Sequence, residues 1–162
     1  QPSISPSMDI QVSSNFERAL YFAYGKDGAA VAGLMEELKA GGFTLSQGVK
    51  AALAGSFDSG RCSEAETSAT ITATLKNAAE LLCPHTAVGV KVAEEQRVQG
   101  VPMVTLATAH PAKFPDAVEA ASGIRPGLPP HMADLFERPE RVTRLSNDLS
   151  ALEAHVREHR RK

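Results

Sequence analysis

Three side chains of different chemistry follow the apolar segment 102–107 (PMVTLA). Thr108 offers a neutral hydroxyl, His110 a titratable imidazole and Lys113 a fixed positive charge. Because ligands of open α/β sheets bind just beyond the carboxyl ends of parallel strands, this loop is a candidate ligand site. An ordinary strand-to-helix turn with a capping threonine and a solvated lysine explains the same residues, so both interpretations stay open.

A second candidate lies near the start of the chain, where polar residues precede a predicted helix. Ser13, Ser14 and Asn15 supply hydroxyls, an amide and free backbone N–H groups, and Arg18 follows one turn later. A helix start of this kind can hold an anion. Simple helix capping accounts for the same residues and is the favoured interpretation.

The sulfur and imidazole groups match no metal or nucleophile pattern. Cys83 and His85 are neighbours in sequence, whereas catalytic Cys/His pairs are neighbours in space. A zinc site from Cys62, Cys83, His85 and His110 would need a spacing unlike the common ones. The familiar phosphate-loop, hydrolase and metalloprotease motifs are absent from the sequence. We therefore predict no metal site and no complete catalytic set within this chain.

Helices predominate among the elements that must position these residues. Ser14 with Glu17 fits a capping box at a first helix, whose apolar stripe is Phe16, Leu20 and Tyr24. Further helices are predicted around Leu34, over 46–54, from Ser63 with its own capping box, from Pro84, over 115–122 and after Asn147. Only 102–107 and 141–146 read as strands. So few strands indicate that part of the sheet lies outside this chain.

The composition is that of one ordinary folded domain. The 162 residues have a formal net charge of -2, with 43% hydrophobic and 22% charged residues, which excludes wholesale disorder. Aromatic residues make up only 5%, so the chain offers few side chains on which bases could stack. Its net charge also gives no basic surface for a nucleic-acid partner. The sequence has no membrane-spanning apolar run and no signal peptide, so we expect no membrane partner. Two separated cysteines predict free thiols in a reducing cytoplasm.

Three stretches, in order, resemble the C-terminal portion of threonine synthase. They are SPSMDI with SSNFER (5–10 and 13–18), PHTAVG (84–89) and LATAHPAKF (106–114), and the resemblance runs from about Ile4 to the end. One departure is Cys83, where the family often has an aspartate, and we expect it to be tolerated. Because the chain begins with glutamine and its first methionine is Met8, we also expect a processed chain or a piece of a longer one.

The resemblance implies the fold and the reaction. Threonine synthases are pyridoxal 5'-phosphate (PLP) enzymes of the tryptophan-synthase β-subunit-like family. The implied class is α/β, the C-terminal part of a fold-type II enzyme, helix-rich with a few parallel strands and an incomplete sheet. Residues 1–162 would be a single C-terminal fragment of a larger enzyme. That enzyme converts O-phospho-L-homoserine and water to L-threonine and phosphate.

The resemblance also assigns roles to individual residues. Thr108 stands at the family position that partners the PLP ring nitrogen. Lys113, with Ser13, Asn15 or Arg18, is a candidate for the substrate phosphate. The family's Schiff-base lysine lies in a Ser-Phe-Lys-Asp-like motif that this chain lacks, as it lacks the glycine-rich loop that holds the cofactor phosphate. We therefore expect no catalytic residue here, a partner in the missing N-terminal region of the same enzyme, and no activity from the isolated chain.

Two other functions remain open at this stage. One is a non-catalytic domain that binds a small phosphorylated ligand through the Lys113 loop. The other is a purely structural domain without a site, in which Thr108 and Lys113 have no role in the activity of the longer protein.

Overall fold

The computed structural model describes residues 2–10 and 13–160. It divides into two compact units, Gln1–Gly127 and Leu128–Lys162. The described helices of the first unit are α1 (Ser14–Ala23), α2 (Gly28–Lys39), α3 (Gln47–Ala54), α4 (Glu64–Ala78), α5 (Pro84–Gln96) and α6 (Pro115–Ser122). The second unit carries α7 (Leu149–His159). That residues 1–162 form one fragment of a larger enzyme stays a prediction.

Neither predicted strand forms in the described part of the chain. Segments 102–107 and 141–146 have no regular secondary structure. A strand is completed by a neighbouring strand, and no backbone hydrogen bond joins 102–107 to another described segment. Val104 is 79% exposed and Leu106 77% exposed, although both are apolar. The helix-rich part of the fold prediction is confirmed, whereas the few parallel strands are wrong for the described residues.

Helices α1, α2 and α3 enclose one hydrophobic cluster. Its buried members are Leu20, Val31, Leu34 and Val49. Helix α2 begins at this point because the Asp27 carboxylate accepts the backbone N–H groups of Ala29 and Ala30, each at 3.0 Å. Helix α1 ends just before Gly25, which has a φ of +65°, a left-handed conformation that favours glycine.

The predicted capping box at Ser14 is wrong. Helix α1 begins at Ser14 itself, so the N-cap is Ser13, whose side chain makes no capping hydrogen bond. The predicted apolar stripe is only partly covered, because Leu20 is fully buried whereas Phe16 is 45% exposed.

Helices α4, α5 and α6 pack around a second cluster. Its buried members are Ile71, Leu82 and Ala87. The Thr72 hydroxyl donates to the Ala121 carbonyl at 2.6 Å and so ties α4 to α6. Helix α4 begins with the predicted capping box, in which Ser63 accepts the Glu66 N–H and the Glu66 carboxylate accepts the Ser63 N–H at 2.7 Å.

Lys91 fastens α5 to the start of α4. Its ammonium group donates to the Arg61 carbonyl at 2.6 Å and lies 3.4 Å from Glu66 and 2.9 Å from Glu95. The hydrogen bonds from the Ser63 backbone and hydroxyl, followed by that from Lys91, lower the pKa of Glu66 to about 2. The hydrogen bond to Glu95 in turn raises the pKa of Lys91.

The second unit ends in an amphipathic helix. Asp148 rather than the predicted Asn147 caps α7, and its Oδ1 accepts the Ala151 N–H at 2.8 Å. Two apolar residues of α7 are exposed, Leu149 at 70% and Val156 at 56%. Among residues 2–10 and 13–160, no helix has the length and hydropathy that a membrane crossing requires.

Candidate functional site

The start of α5 is buried without interruption. All residues over 82–87 are buried, and Cys83 is only 1% exposed. Pro84 occupies the first turn, where its missing N–H costs nothing, and Cys83 acts as the N-cap because its Sγ accepts the Thr86 N–H at 3.4 Å. Buried polar groups need hydrogen-bond partners, and the partner of Thr86 is the predicted site residue.

Thr86 and Thr108 are joined by two contacts. The backbone N–H of Thr108 donates to the Thr86 Oγ1 at 3.1 Å, and the two Oγ1 atoms lie 3.4 Å apart. The Cys83 Sγ lies 3.2 Å from the Thr86 Oγ1 and 4.0 Å from the Thr108 Oγ1. Thr86 is 4% exposed, whereas Thr108 is exposed. An accessible hydroxyl is therefore backed by a buried hydroxyl and a buried thiol.

This polar group opens into a surface cavity of about 350 Å³. Residues 80–83 and Thr86 form one side of the cavity, and 107–111 form the other. Its volume is at the lower end of the range, about 300 to 1,000 Å³, that small-molecule pockets occupy. Residues 107–111 of the loop after 102–107 therefore line a cavity, and that a ligand binds there stays a prediction.

His110 and Lys113 shape and charge the same loop. His110 precedes a single 3-10 turn, Pro111–Lys113, and its Nδ1 accepts the Ala112 N–H at 3.2 Å. The imidazole thus fixes the loop through this hydrogen bond. Lys113 is exposed, with its Nζ 5.9 Å from the centre of the Phe114 ring.

His85 is a buried residue that packs against Phe114, at the end of the same loop. Its Nε2 accepts the Ser7 N–H at 3.0 Å, and its ring lies 4.6 Å from the Phe114 ring. The residue is 4% exposed, and its buried Nδ1 has no hydrogen-bond partner among the described residues. Burial lowers the pKa of His85, the positive charge of Lys113 adds to this effect and Asp9 opposes it. Burial thus favours the neutral imidazole, whose Nε2 holds the N-terminal segment against α5 through the Ser7 N–H.

The N-terminal candidates stand apart from Thr108 in the contacts that the structure describes. Ser13, Asn15 and Arg18 are exposed at the start of α1. Arg18 lines a separate surface cavity of about 280 Å³ together with Tyr21 and Val31. No hydrogen bond or ion pair between described residues links the three to the Lys113 loop, so their role at a phosphate stays a prediction.

Two residues of the site were not assigned to it from the sequence. Thr86 and His85 lie beside Cys83, and that stretch reads as a helix start with a buried thiol. The available signal was the polarity of two residues inside a segment that is otherwise apolar. Thr86 reaches Thr108 across 22 positions of sequence, a distance over which spacing alone predicts no contact. No group of three or more potential metal ligands occurs within 2–10 and 13–160.

Comparison with known proteins assigns the chain to a family. Residues 86–156 match the family model described as "Threonine synthase, C-terminal". Threonine synthase of Pseudomonas aeruginosa is 51% identical over 98% of this chain and 34% of its own length. That of Corynebacterium glutamicum is 38% identical over 94% of this chain and 33% of its own length.

A solved structure agrees with these matches. The crystal structure of PLP-bound threonine synthase from Brucella melitensis is 52% identical, with a TM-score of 0.82 over 100% of this chain and 35% of that one. The chain thus spans about a third of the length of the relatives it matches. It belongs to the threonine synthase family and corresponds to the C-terminal part of that family's sequence.

Proposed function

We propose that this chain contributes one wall of a PLP site in a threonine synthase. That enzyme converts O-phospho-L-homoserine and water to L-threonine and phosphate. The observation that carries the proposal is the exposed Thr108 hydroxyl at a cavity of about 350 Å³, backed by the buried Thr86. Thr108 lies within the residues that match the family, and the Brucella relative has PLP bound. Because both cysteines are free thiols, we also propose a cytoplasmic location.

The residues of the cavity fit the ring edge of the cofactor. A hydroxyl both donates and accepts a hydrogen bond, so Thr108 can pair with a pyridine nitrogen without forcing it to carry a proton. A carboxylate in that place would hold the nitrogen protonated. When bound, PLP supplies an electron sink for negative charge that develops at the substrate Cα. The task of Thr108 is to hold the ring at its nitrogen.

The lysine that carries the cofactor is proposed to lie outside this sequence. None of its lysines stands in a Ser-Phe-Lys-Asp-like context; they are Lys26, Lys39, Lys50, Lys76, Lys91, Lys113 and Lys162. We propose that the N-terminal region of a longer protein supplies this lysine and the loop for the cofactor phosphate. Accordingly, the chain alone is expected to form no threonine from PLP and O-phospho-L-homoserine.

Lys113 is proposed to stabilise the departing phosphate. Loss of phosphate from the substrate Cγ places negative charge on the leaving group, and a nearby cation lowers the energy of that charge. Lys113 supplies an exposed cation on the loop that carries Thr108. Ser13, Asn15 and Arg18 are additional candidate donors, at a helix start suited to anions.

Substitutions in the longer enzyme test this function. We expect Thr108→Val to weaken PLP binding and to lower kcat/KM by about tenfold, the range for one lost hydrogen bond. Lys113→Ala should raise KM for O-phospho-L-homoserine more than it changes PLP affinity. Calorimetry of the 162-residue chain with PLP and with inorganic phosphate is the companion measurement. Tight binding by the chain alone would favour a self-contained ligand-binding domain and contradict the proposal.

A further inference from the structure

We infer that Thr86 is a positioning residue that presents the Thr108 hydroxyl to the bound ligand as a hydrogen-bond donor. The inference rests on the proposed function, because it concerns the same cavity. It adds a residue, 4% exposed, that acts through its hydrogen bonds to Thr108.

The orientation of Thr86 differs from that of two threonines in α4. Thr67 and Thr70 each donate to the carbonyl four residues earlier, at 2.9 and 2.8 Å. Among the hydrogen bonds of the described residues, Thr86 makes no such bond. Its hydroxyl faces Thr108 instead and accepts the backbone N–H of that residue at 3.1 Å. The loop that carries Thr108 is thus fixed to α5 through one side chain.

A count of donors and acceptors sets the direction of the contact. A hydroxyl can accept two hydrogen bonds and donate one. The Thr86 Oγ1 accepts the Thr108 N–H. We assign the Cys83 S–H, 3.2 Å away, to its second acceptor position, because a hydroxyl oxygen is a better acceptor for the Thr86 O–H than a thiol sulfur. The Thr86 O–H is then left to donate to the Thr108 Oγ1 at 3.4 Å.

The consequence falls on the accessible hydroxyl. Since the Thr108 Oγ1 accepts from Thr86, its own O–H is free to donate into the cavity. A donor in that place suits an unprotonated ring nitrogen, whereas an acceptor would suit a protonated one. Thr86 therefore keeps the Thr108 O–H available to an unprotonated ring nitrogen.

The test compares buried threonines in the full-length enzyme. Thr86→Val keeps the shape and removes the hydroxyl, and Thr86→Ser restores the hydroxyl. Thr67→Val is the matched control, because Thr67 is 2% exposed and its Oγ1 likewise lies 3.2 Å from a cysteine, Cys62. Thr108→Val tests the proposed function separately.

The first measurement needs no cofactor. Hydrogen exchange of the Thr108 backbone amide should be about 5- to 10-fold faster in Thr86→Val than in the native apoenzyme, the factor expected for one net hydrogen bond. Thr86→Ser should restore the protection, and Thr67→Val should leave this amide unchanged. If the valine variant does not fold, Thr86→Ala takes its place in the same comparison.

The second measurement uses PLP. We expect Thr86→Val to raise the Kd for PLP and to lower kcat by about tenfold or more, since a misplacement of about 1 Å can cost about 10²-fold. The PLP absorption spectrum should also change its dependence on pH, a change that Thr67→Val does not produce. If Thr108→Val is impaired while Thr86→Val behaves like Thr67→Val, the positioning role is overturned. If Thr108→Val also behaves like native enzyme, the proposed function fails with it.

Discussion

The segments 82–87 and 102–107 meet at the candidate site, yet they have opposite environments. The first carries three polar side chains, those of Cys83, His85 and Thr86, and is completely buried. The second is more apolar, yet Val104 and Leu106 are 79% and 77% exposed. In this molecule a segment is therefore buried where the chain provides packing and hydrogen-bond partners for it, and not simply because it is apolar. The polar side chains of 82–87 find most of their partners within the chain, whereas 102–107 has no described segment to pair with.

The largest expected effect on stability comes from a comparison of one apolar residue from each environment. Ile71→Ala removes a fully buried side chain from the cluster that covers 82–87 and should cost about 2 to 5 kcal/mol of unfolding free energy. Leu106→Ala should cost no more than about 0.5 kcal/mol, because its side chain is already solvated. Urea denaturation of the 162-residue chain gives both values. Equal costs would mean that 102–107 is covered in solution.

Acid should weaken the buried segment through His85. The pKa of this imidazole is lowered, chiefly by burial, so the folded state resists taking up the proton. Its contribution to stability is complete above the ordinary pKa of 6.5 and is lost as the pH falls through the folded value, by up to about 1.4 kcal/mol per pH unit. Denaturation midpoints of native protein and His85→Gln over this range measure the slope. The control is His131→Gln, at an exposed histidine, which should keep the native pH dependence of stability. If His85→Gln also keeps that dependence, His85 is not the group responsible for it.

A smaller effect is expected at the capping box that begins α4. Ser63→Ala removes the hydroxyl that Glu66 contacts and should destabilise the protein by about 1 kcal/mol. The pKa of Glu66 should rise part of the way from about 2 towards its ordinary value, because the Ser63 backbone hydrogen bond, the main cause of the shift, remains while the hydroxyl hydrogen bond, the second cause, is lost. NMR titration of the Glu66 carboxylate measures this change. The cap Ser46→Ala on α3 is a matched variant that should leave the Glu66 titration unaltered.

The smallest expected effect tests whether the exposed segment 102–107 can shift relative to α5. A Cβ added at Gly89 of α5 would lie 3.2 Å from the Thr105 Cγ2. Replacing glycine by alanine within a helix gains about 1 kcal/mol. If 102–107 can shift by a few tenths of an ångström, Gly89→Ala should stabilise the 162-residue chain by about 0.5 kcal/mol or more. Thermal unfolding measures the sign, and a net loss would show that Thr105 is held in place.

Local signals predicted most of the helical framework. The capping box at Ser63, the proline that opens α5 and the glycine after α1 each specify a helix end with nearby atoms. The box at Ser14 was wrong because Ser13 is as good a cap in sequence. The strand at 102–107 was wrong for the described residues because a strand depends on a second segment, and hydropathy says nothing about whether that segment is present.

The candidate site was predicted only in part. The loop from Thr108 to Lys113 was identified because a hydroxyl, an imidazole and a cation follow an apolar run, and because the stretch resembles a known family. Thr86 was missed because its contact with Thr108 depends on how α5 and the loop fold together. His85 was missed for the same reason, since its partner Ser7 is 78 positions away.

The hydrogen bond from Ser7 to His85 limits how far the beginning of the chain can be trimmed. Removal of residues up to Ile10 would leave both imidazole nitrogens without a described partner in an apolar setting, next to Phe114. A proteolytic cut before Ser13 would then disturb the packing at the start of α5, which is remote from the cut in the sequence. An affinity tag is better placed at the other terminus.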